Sequence, residues 1–155
     1  MQVGRIVPVV QGYDSTSYGD GFADVYDDWY ADVTDVDATV ARIVELAGPG
    51  GRILELGAGT GRLAVPLAEA GLHVTAIDAS DAMLQRLRRR GEESGVGDRL
   101  VIVRGDMVAA LPAGPFDVAL VAYNTLFNLV DDGAQQACFH SVAERLGPDG
   151  VFVVE

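Results

Sequence analysis

The sequence has no lysine, a single cysteine and no apolar run long enough to cross a bilayer. One thiol, Cys138, excludes an internal disulfide and fits a reducing cytoplasm, the expected compartment. Its spacing within a helical pattern reads as a small core residue rather than a nucleophile. The longest apolar runs, at 118–122 and 151–154, fall far short of the roughly 20 residues a membrane helix needs. The opening "MQVGRIVPVV" has no sustained apolar stretch, so no signal peptide is expected. Positive charge is also scarce: 11 basic residues, all arginine, stand against 23 acidic ones, a net charge of −12. Such a chain repels phosphate backbones and anionic lipid, so neither nucleic acid nor membrane is an expected partner. The one basic run, Arg88, Arg89 and Arg90, is expected to close a helix, where cations suit the dipole.

What is present is a globular composition. Hydrophobic residues make up 49% of 155 residues, enough for one domain with a sizeable core. Five short apolar runs, at 52–56, 73–78, 100–104, 116–122 and 151–155, read as strands covered on both faces. Helical periodicity fills 36–47, 63–70, 81–93 and 133–146, with Gly48, Gly71, Gly95 and Gly147 where helices should stop. Pro66 falls in a first turn, where its missing N–H costs little. Strand and helix alternate, the pattern of an α/β, doubly wound, mostly parallel sheet. The aromatic residues are unevenly spread, and residues 1–35 read as a separate N-terminal helical segment. Within it, Tyr18, Phe22, Tyr26 and Trp29 are expected to form a lid over the crevice of a domain spanning 36–155.

The joint between the first strand and the next helix holds Gly57, Gly59 and Gly61 within five residues. Glycines there allow a tight turn and let a ligand approach the backbone, with amides facing it beside a helix N-terminus. A tight turn with nothing bound is the lesser alternative reading of the glycines alone. Asp78 ends the second strand, about twenty residues on, where such folds place a ribose-binding carboxylate. Asp106 follows the third strand at the same rim. Each aspartate could instead cap the turn or helix after it, a role compatible with binding.

The sequence resembles the class I S-adenosylmethionine-dependent methyltransferases. "LELGAGTGR" looks like their cofactor loop, "IDASDAML" their second-strand signature and "GDM" their adenine-contacting turn. "FDVALVAYNTLFNL" and "LGPDGVFVVE" resemble their fourth and fifth strands, and "FADVYDDWY" the N-terminal helix of their small-molecule N-methyltransferases. The resemblance implies a Rossmann-like fold and S-adenosylmethionine as cofactor, with no metal. It implies that Glu55 and Gly57 flank the methionine moiety, Ala58 and Gly59 line the cofactor, and Asp78 holds the ribose. Ala79 and Met83 would pack near the adenine, Asp106 and Met107 would bond it, and Ala122 and Tyr123 would border the sulfonium and the acceptor.

Methyl transfer needs alignment and exclusion of water, with a general base only where the acceptor carries a proton. His73 and His140 read as structural, leaving Tyr123 and Asn124 as the catalytic candidates. "AYNT" departs from the Asn/Asp-Pro-Pro-Tyr pattern of enzymes acting on nucleic-acid or protein amide nitrogens. A small-molecule acceptor with an N or O nucleophile is therefore expected. A cofactor-binding module without catalysis and a nicotinamide-dependent oxidoreductase are the alternatives. The family's sheet continues beyond a fifth strand, so the chain reads as C-terminally truncated. Its 151–155 strand is expected to be an open edge prone to self-association.

Overall fold

The computed structural model describes residues 35–155. The lid residues Tyr18, Phe22, Tyr26 and Trp29 lie outside the described residues. The elements run α1 (Val36–Ala47), β1 (Arg52–Leu56), α2 (Ala64–Glu69), β2 (His73–Asp78), α3 (Asp81–Glu93) and β3 (Leu100–Arg104), then β4 (Phe116–Val121), α4 (Ala134–Ala143) and β5 (Leu146–Val154). All five strands are parallel in the order β3-β2-β1-β4-β5, a Rossmann-like α/β sheet that reverses direction of winding at β1.

Alternation along β1 and β4 builds two cores. Ile53, Val118 and Leu120 join Val74 and the apolar faces of α1, α2 and α3 on one side. Leu54, Leu56, Ala119 and Val121 join Cys138 and Val142 of α4 on the other. A parallel strand buried on both faces needs this continuous apolar character, and four of the five β1 residues are buried. Cys138 is a fully buried core residue, whose burial raises its thiol pKa, with a smaller push from Asp106. Among the described residues no helix is long and apolar enough to cross a membrane.

Several boundaries differ from those expected. Gly147 does not stop a helix: α4 ends at Ala143 and β5 already begins at Leu146. The register shifts between Phe116 and Val118, so residues 147–150 pass the Asp117 position in a bulge. A Cβ on Gly150 would lie 2.9 Å from the Phe116 carbonyl oxygen, so that passage needs glycine. The turn-rich composition of "GPDG" hid a strand that runs through it. The helix α3 has the expected bounds, Asp81–Glu93, with Arg90 of the basic run in its last turn.

Candidate functional site

The turn after β1 is built from three glycines with positive φ, at 65° for Gly57, 56° for Gly59 and 85° for Gly61. Their surroundings differ. A Cβ on Gly57 would meet the Thr125 methyl at 2.2 Å, and one on Gly61 the Leu87 Cδ1 at 2.1 Å. A Cβ on Gly59 would meet nothing within 4 Å. Gly57 and Gly61 thus serve packing within the protein, and Gly59 alone opens onto free space.

The expectation that this turn presents its amides to a ligand needs correcting. Ala58 N donates to Ile77 O at 3.0 Å, Gly61 N to Ala58 O at 3.0 Å, and Gly59 N to Asp78 Oδ2 at 2.8 Å. The turn crosses the end of β2, and the Ala58 and Gly59 amides hold it there. At the N-terminus of α2 the Ala64 amide favours the charged form of the buried Glu55 carboxyl.

Acceptors are what remain. Glu55 is 4% exposed on β1, and its Oε2 has no hydrogen-bond partner. Burial, reinforced by the Asp78 charge and only partly offset by the Ala64 amide, pushes its pKa up to about 8. Asp78 ties the Gly59 amide with Oδ2 and the Ser80 amide with Oδ1. The cap of α3 is Ser80, whose Oγ accepts from Met83 N at 3.3 Å, so Asp78 organises the turn instead of capping the helix. Asp106 does cap: its Oδ1 takes both Val108 N, at 2.8 Å, and Ala109 N, at 2.9 Å. The second oxygen of Asp106 lies outside those bonds.

Beyond β4, Tyr123 and Asn124 take consecutive positive φ values of 56° and 61°. Two non-glycine residues in that region store strain of about 1–3 kcal/mol each, of the kind found at sites where a side chain must be aimed. The Tyr123 ring carries the Arg62 guanidinium 3.8 Å from its centroid, and its hydroxyl is buried without a hydrogen-bond partner. Asn124 N reaches back to Glu155 O at 3.4 Å. Ala58 and Ala122 are buried, Ala79 and Met107 half-buried, and Met83 is 3% exposed on the inner face of α3. His73 and His140 are exposed, the latter 3.4 Å from Glu144, which caps the end of the same helix.

The described candidates Glu55, Gly57, Ala58, Gly59, Asp78, Ala79, Asp106, Met107, Ala122, Tyr123 and Asn124 all follow or end strands at one rim of the sheet. Met83 stands one turn into α3, beside them in sequence and covered by the core. Arg62 was missed. Its only sequence signal is a cation directly after the glycine run, and the stacking on Tyr123, 61 positions away, is invisible without the fold.

A family model described as a methyltransferase domain matches residues 53–150. The chain is 38% identical to the CcbJ methyltransferase from Streptomyces caelestis, with a TM-score of 0.84, over 92% of this chain and 58% of that one. It is 32% identical to the glycopeptide N-methyltransferase MtfA, solved with sinefungin, with a TM-score of 0.68 over 78% and 49% of the two chains. It is 39% identical over 93 residues to a ubiquinone biosynthesis O-methyltransferase from Xylella fastidiosa (strain 9a5c), covering 59% of this chain and 37% of that protein. The chain therefore spans between 37% and 58% of the lengths of these proteins.

Proposed function

The chain belongs to the methyltransferase-domain family, and from that premise we propose that it binds S-adenosylmethionine at the rim around Gly59 and transfers its methyl group to a small molecule. The observation that carries this reading is the Glu55 oxygen, buried and unpartnered beside a turn whose one open glycine faces free space. A buried polar atom without a partner is costly, and a cationic donor from a ligand would relieve it.

The residues fit the cofactor. Glu55 and Gly57 would flank the methionine end, with the Glu55 oxygen toward the ammonium. Ala58 and Gly59 would line it, Asp78 would receive the ribose hydroxyls, and Asp106 with the Met107 amide would meet the adenine edge. Ala79 and Met83 would close the adenine side. When bound, S-adenosylmethionine supplies a methyl group activated on a sulfonium, which an acceptor nucleophile displaces in line. Tyr123 and Asn124, held in strained conformations next to Ala122, orient the acceptor side and keep water from it.

The −12 charge of the chain supports a small acceptor over a polyanion. An N or O nucleophile is in keeping with the glycopeptide N-methyltransferase and ubiquinone O-methyltransferase among the similar proteins. Calorimetry with S-adenosylhomocysteine and NAD tests the binding half, with S-adenosylhomocysteine expected to bind more tightly. Tighter binding of NAD would reject it. Turnover against amine, hydroxyl and carboxyl acceptors tests the catalytic half, and cofactor binding without any turnover would favour a non-catalytic module.

A further inference from the structure

The loop after β4 divides its apolar residues between core and solvent. Leu126 is buried in the core shared with α4, and the Thr125 methyl fills the space that a Cβ on Gly57 would need. The loop is thereby seated against the glycine turn. Thr125 N donates to Ala122 O at 3.2 Å and Phe127 N to Asn124 O at 3.0 Å, and Gln135 of α4 donates to Leu129 O at 3.3 Å. Phe127 and Val130 nevertheless stand 69% and 73% exposed. One exposed apolar side chain is ordinary. Two within four positions, on a hydrogen-bonded loop that touches a ligand-binding turn, mark a surface that a ligand covers.

The charged groups beside them have one sign. Asp131 and Asp132 follow directly and are exposed, and no arginine or lysine lies between Arg104 and Arg145. At the start of the loop the Tyr123 hydroxyl is buried with no hydrogen-bond partner among the described residues. Apolar contact, carboxylates and an unmet hydroxyl suit an amine on an apolar body and disfavour an anionic acceptor. Resting on the function proposed above, we propose that the acceptor is such an amine: Phe127 and Val130 cover its apolar body, and Asp131 and Asp132 draw in its ammonium. The bound ammonium gives one proton to water. Its freed lone pair forms the new C–N bond while the C–S electron pair stays on sulfur, leaving a thioether and an N-methylammonium. Phe127 and Val130 then set which acceptors are held and leave cofactor affinity alone.

The test is calorimetry on the chain saturated with S-adenosylhomocysteine, with hexylamine, ethanolamine and hexanoate as probes. Hexylamine is expected to bind at least about tenfold more tightly than either of the others. Phe127→Ser and Val130→Ser should each weaken hexylamine about three- to tenfold, the range for losing part of one buried apolar side chain. Neither should change S-adenosylhomocysteine affinity or melting temperature, since both side chains are already exposed. Val101→Ser, at an exposed apolar position of β3, is the control and should leave hexylamine binding unchanged. After incubation with S-adenosylmethionine, mass spectrometry should find N-methylhexylamine. Hexylamine binding no tighter than ethanolamine, tighter binding of hexanoate, or equal losses from Phe127→Ser and Val101→Ser would overturn the proposal. Binding of hexylamine without its methylation would overturn the acceptor role. Failure of S-adenosylhomocysteine itself to bind would instead reject the cofactor reading on which the proposal rests.

Discussion

The two ends of the sheet use the same residue types for opposite purposes. At the N-terminal end, the polar groups close on the protein. Arg52 N donates to Asp117 Oδ2 at 2.7 Å, His73 N to Gly51 O at 2.9 Å, and Phe116 N to Arg145 O at 2.9 Å. Gly51 and Gly114 are glycines because Cβ atoms there would meet Ala47 and the Arg145 carbonyl at 2.6 and 2.1 Å. At the C-terminal end Gly59 opens onto space, while Glu55 Oε2 and the Tyr123 hydroxyl are buried without partners. A groove of about 470 Å³ lies at the first end, lined by Leu111, Pro115 and Arg145 among others. No unpartnered buried atom belongs to its lining residues. The groove marks one end of the sheet, while the unpartnered Glu55 and Tyr123 oxygens mark the other, at the rim where strand ends and turns converge.

The sharpest way to probe this contrast is within the glycine turn. Gly57→Ala or Gly61→Ala puts a methyl into Thr125 or Leu87 at a positive φ, and should cost about 3 kcal/mol of stability by overpacking and left-handed strain. Gly59→Ala meets no atom, so it should cost only about 1 kcal/mol of stability and act mainly on S-adenosylhomocysteine affinity. Chemical denaturation and calorimetry on the three variants separate these effects. Equal stability losses at all three positions would erase the distinction between packing and open glycines.

Asp78→Ala should cost about 1.5–3 kcal/mol of cofactor affinity, the range for hydrogen bonds to a charged group. The loss includes loosening of the turn, since the same carboxylate holds the Gly59 and Ser80 amides. Asp78→Asn should recover part of it, because one amide oxygen can still accept from Gly59. Arg145→Ala in the groove at the far end should leave cofactor affinity unchanged. An equal effect from the two ends would sink the contrast.

Glu55 gives the comparison a pH dependence. Its pKa rises from 4.5 to about 8 on folding, so the folded state holds a proton that the unfolded state releases. That contribution to stability is fully present below 4.5 and is lost as pH rises through the window to about 8. The melting temperature should fall across this range, and Glu55→Gln should flatten the slope. If the cofactor's ammonium pairs with ionised Glu55, binding expels the proton, and affinity should rise by up to about tenfold per pH unit below 8. Binding enthalpies that vary with the buffer's ionisation enthalpy at pH 7 would register the released proton. No variation would mean that Glu55 stays protonated in the complex.

The strands and their doubly wound arrangement were legible because buried parallel strands must be continuously apolar, as "RILEL" and "FDVALV" are. The glycine turn and the two aspartates were legible as a group because spacing from strand ends places them at one rim. The pairing of the turn's amides was not, since it depends on how the turn crosses β2. Nor was the strain at Tyr123 and Asn124: a positive φ is usually announced by glycine, and here the side chains are kept. The start of β5 was hidden for the converse reason, four turn-forming residues absorbed in a bulge.

The smallest expected effect concerns the sheet's lateral edge, where the described structure has no strand beyond β5. Along that edge Val151 and Val154 are 37% and 46% exposed, and Phe139 of α4, 45% exposed, stacks edge-on to Phe152 with ring centroids 5.2 Å apart. An open backbone edge beside apolar side chains favours strand addition, and a second copy of the chain offers the same edge. Opposing this, two chains of −12 charge repel at low ionic strength. The balance should be weak self-association, strengthened by salt that screens the charge. Val154→Lys would place a charge on the exposed edge and should abolish it without altering S-adenosylhomocysteine affinity, since Val154 lies outside the proposed cofactor residues. Light scattering of the chain over a concentration series, at low and high salt, reads the outcome. A monomer at every concentration and in both salts would show that this edge is covered from within the chain, and the only sharp asymmetry of the sheet would then be the one between its two ends.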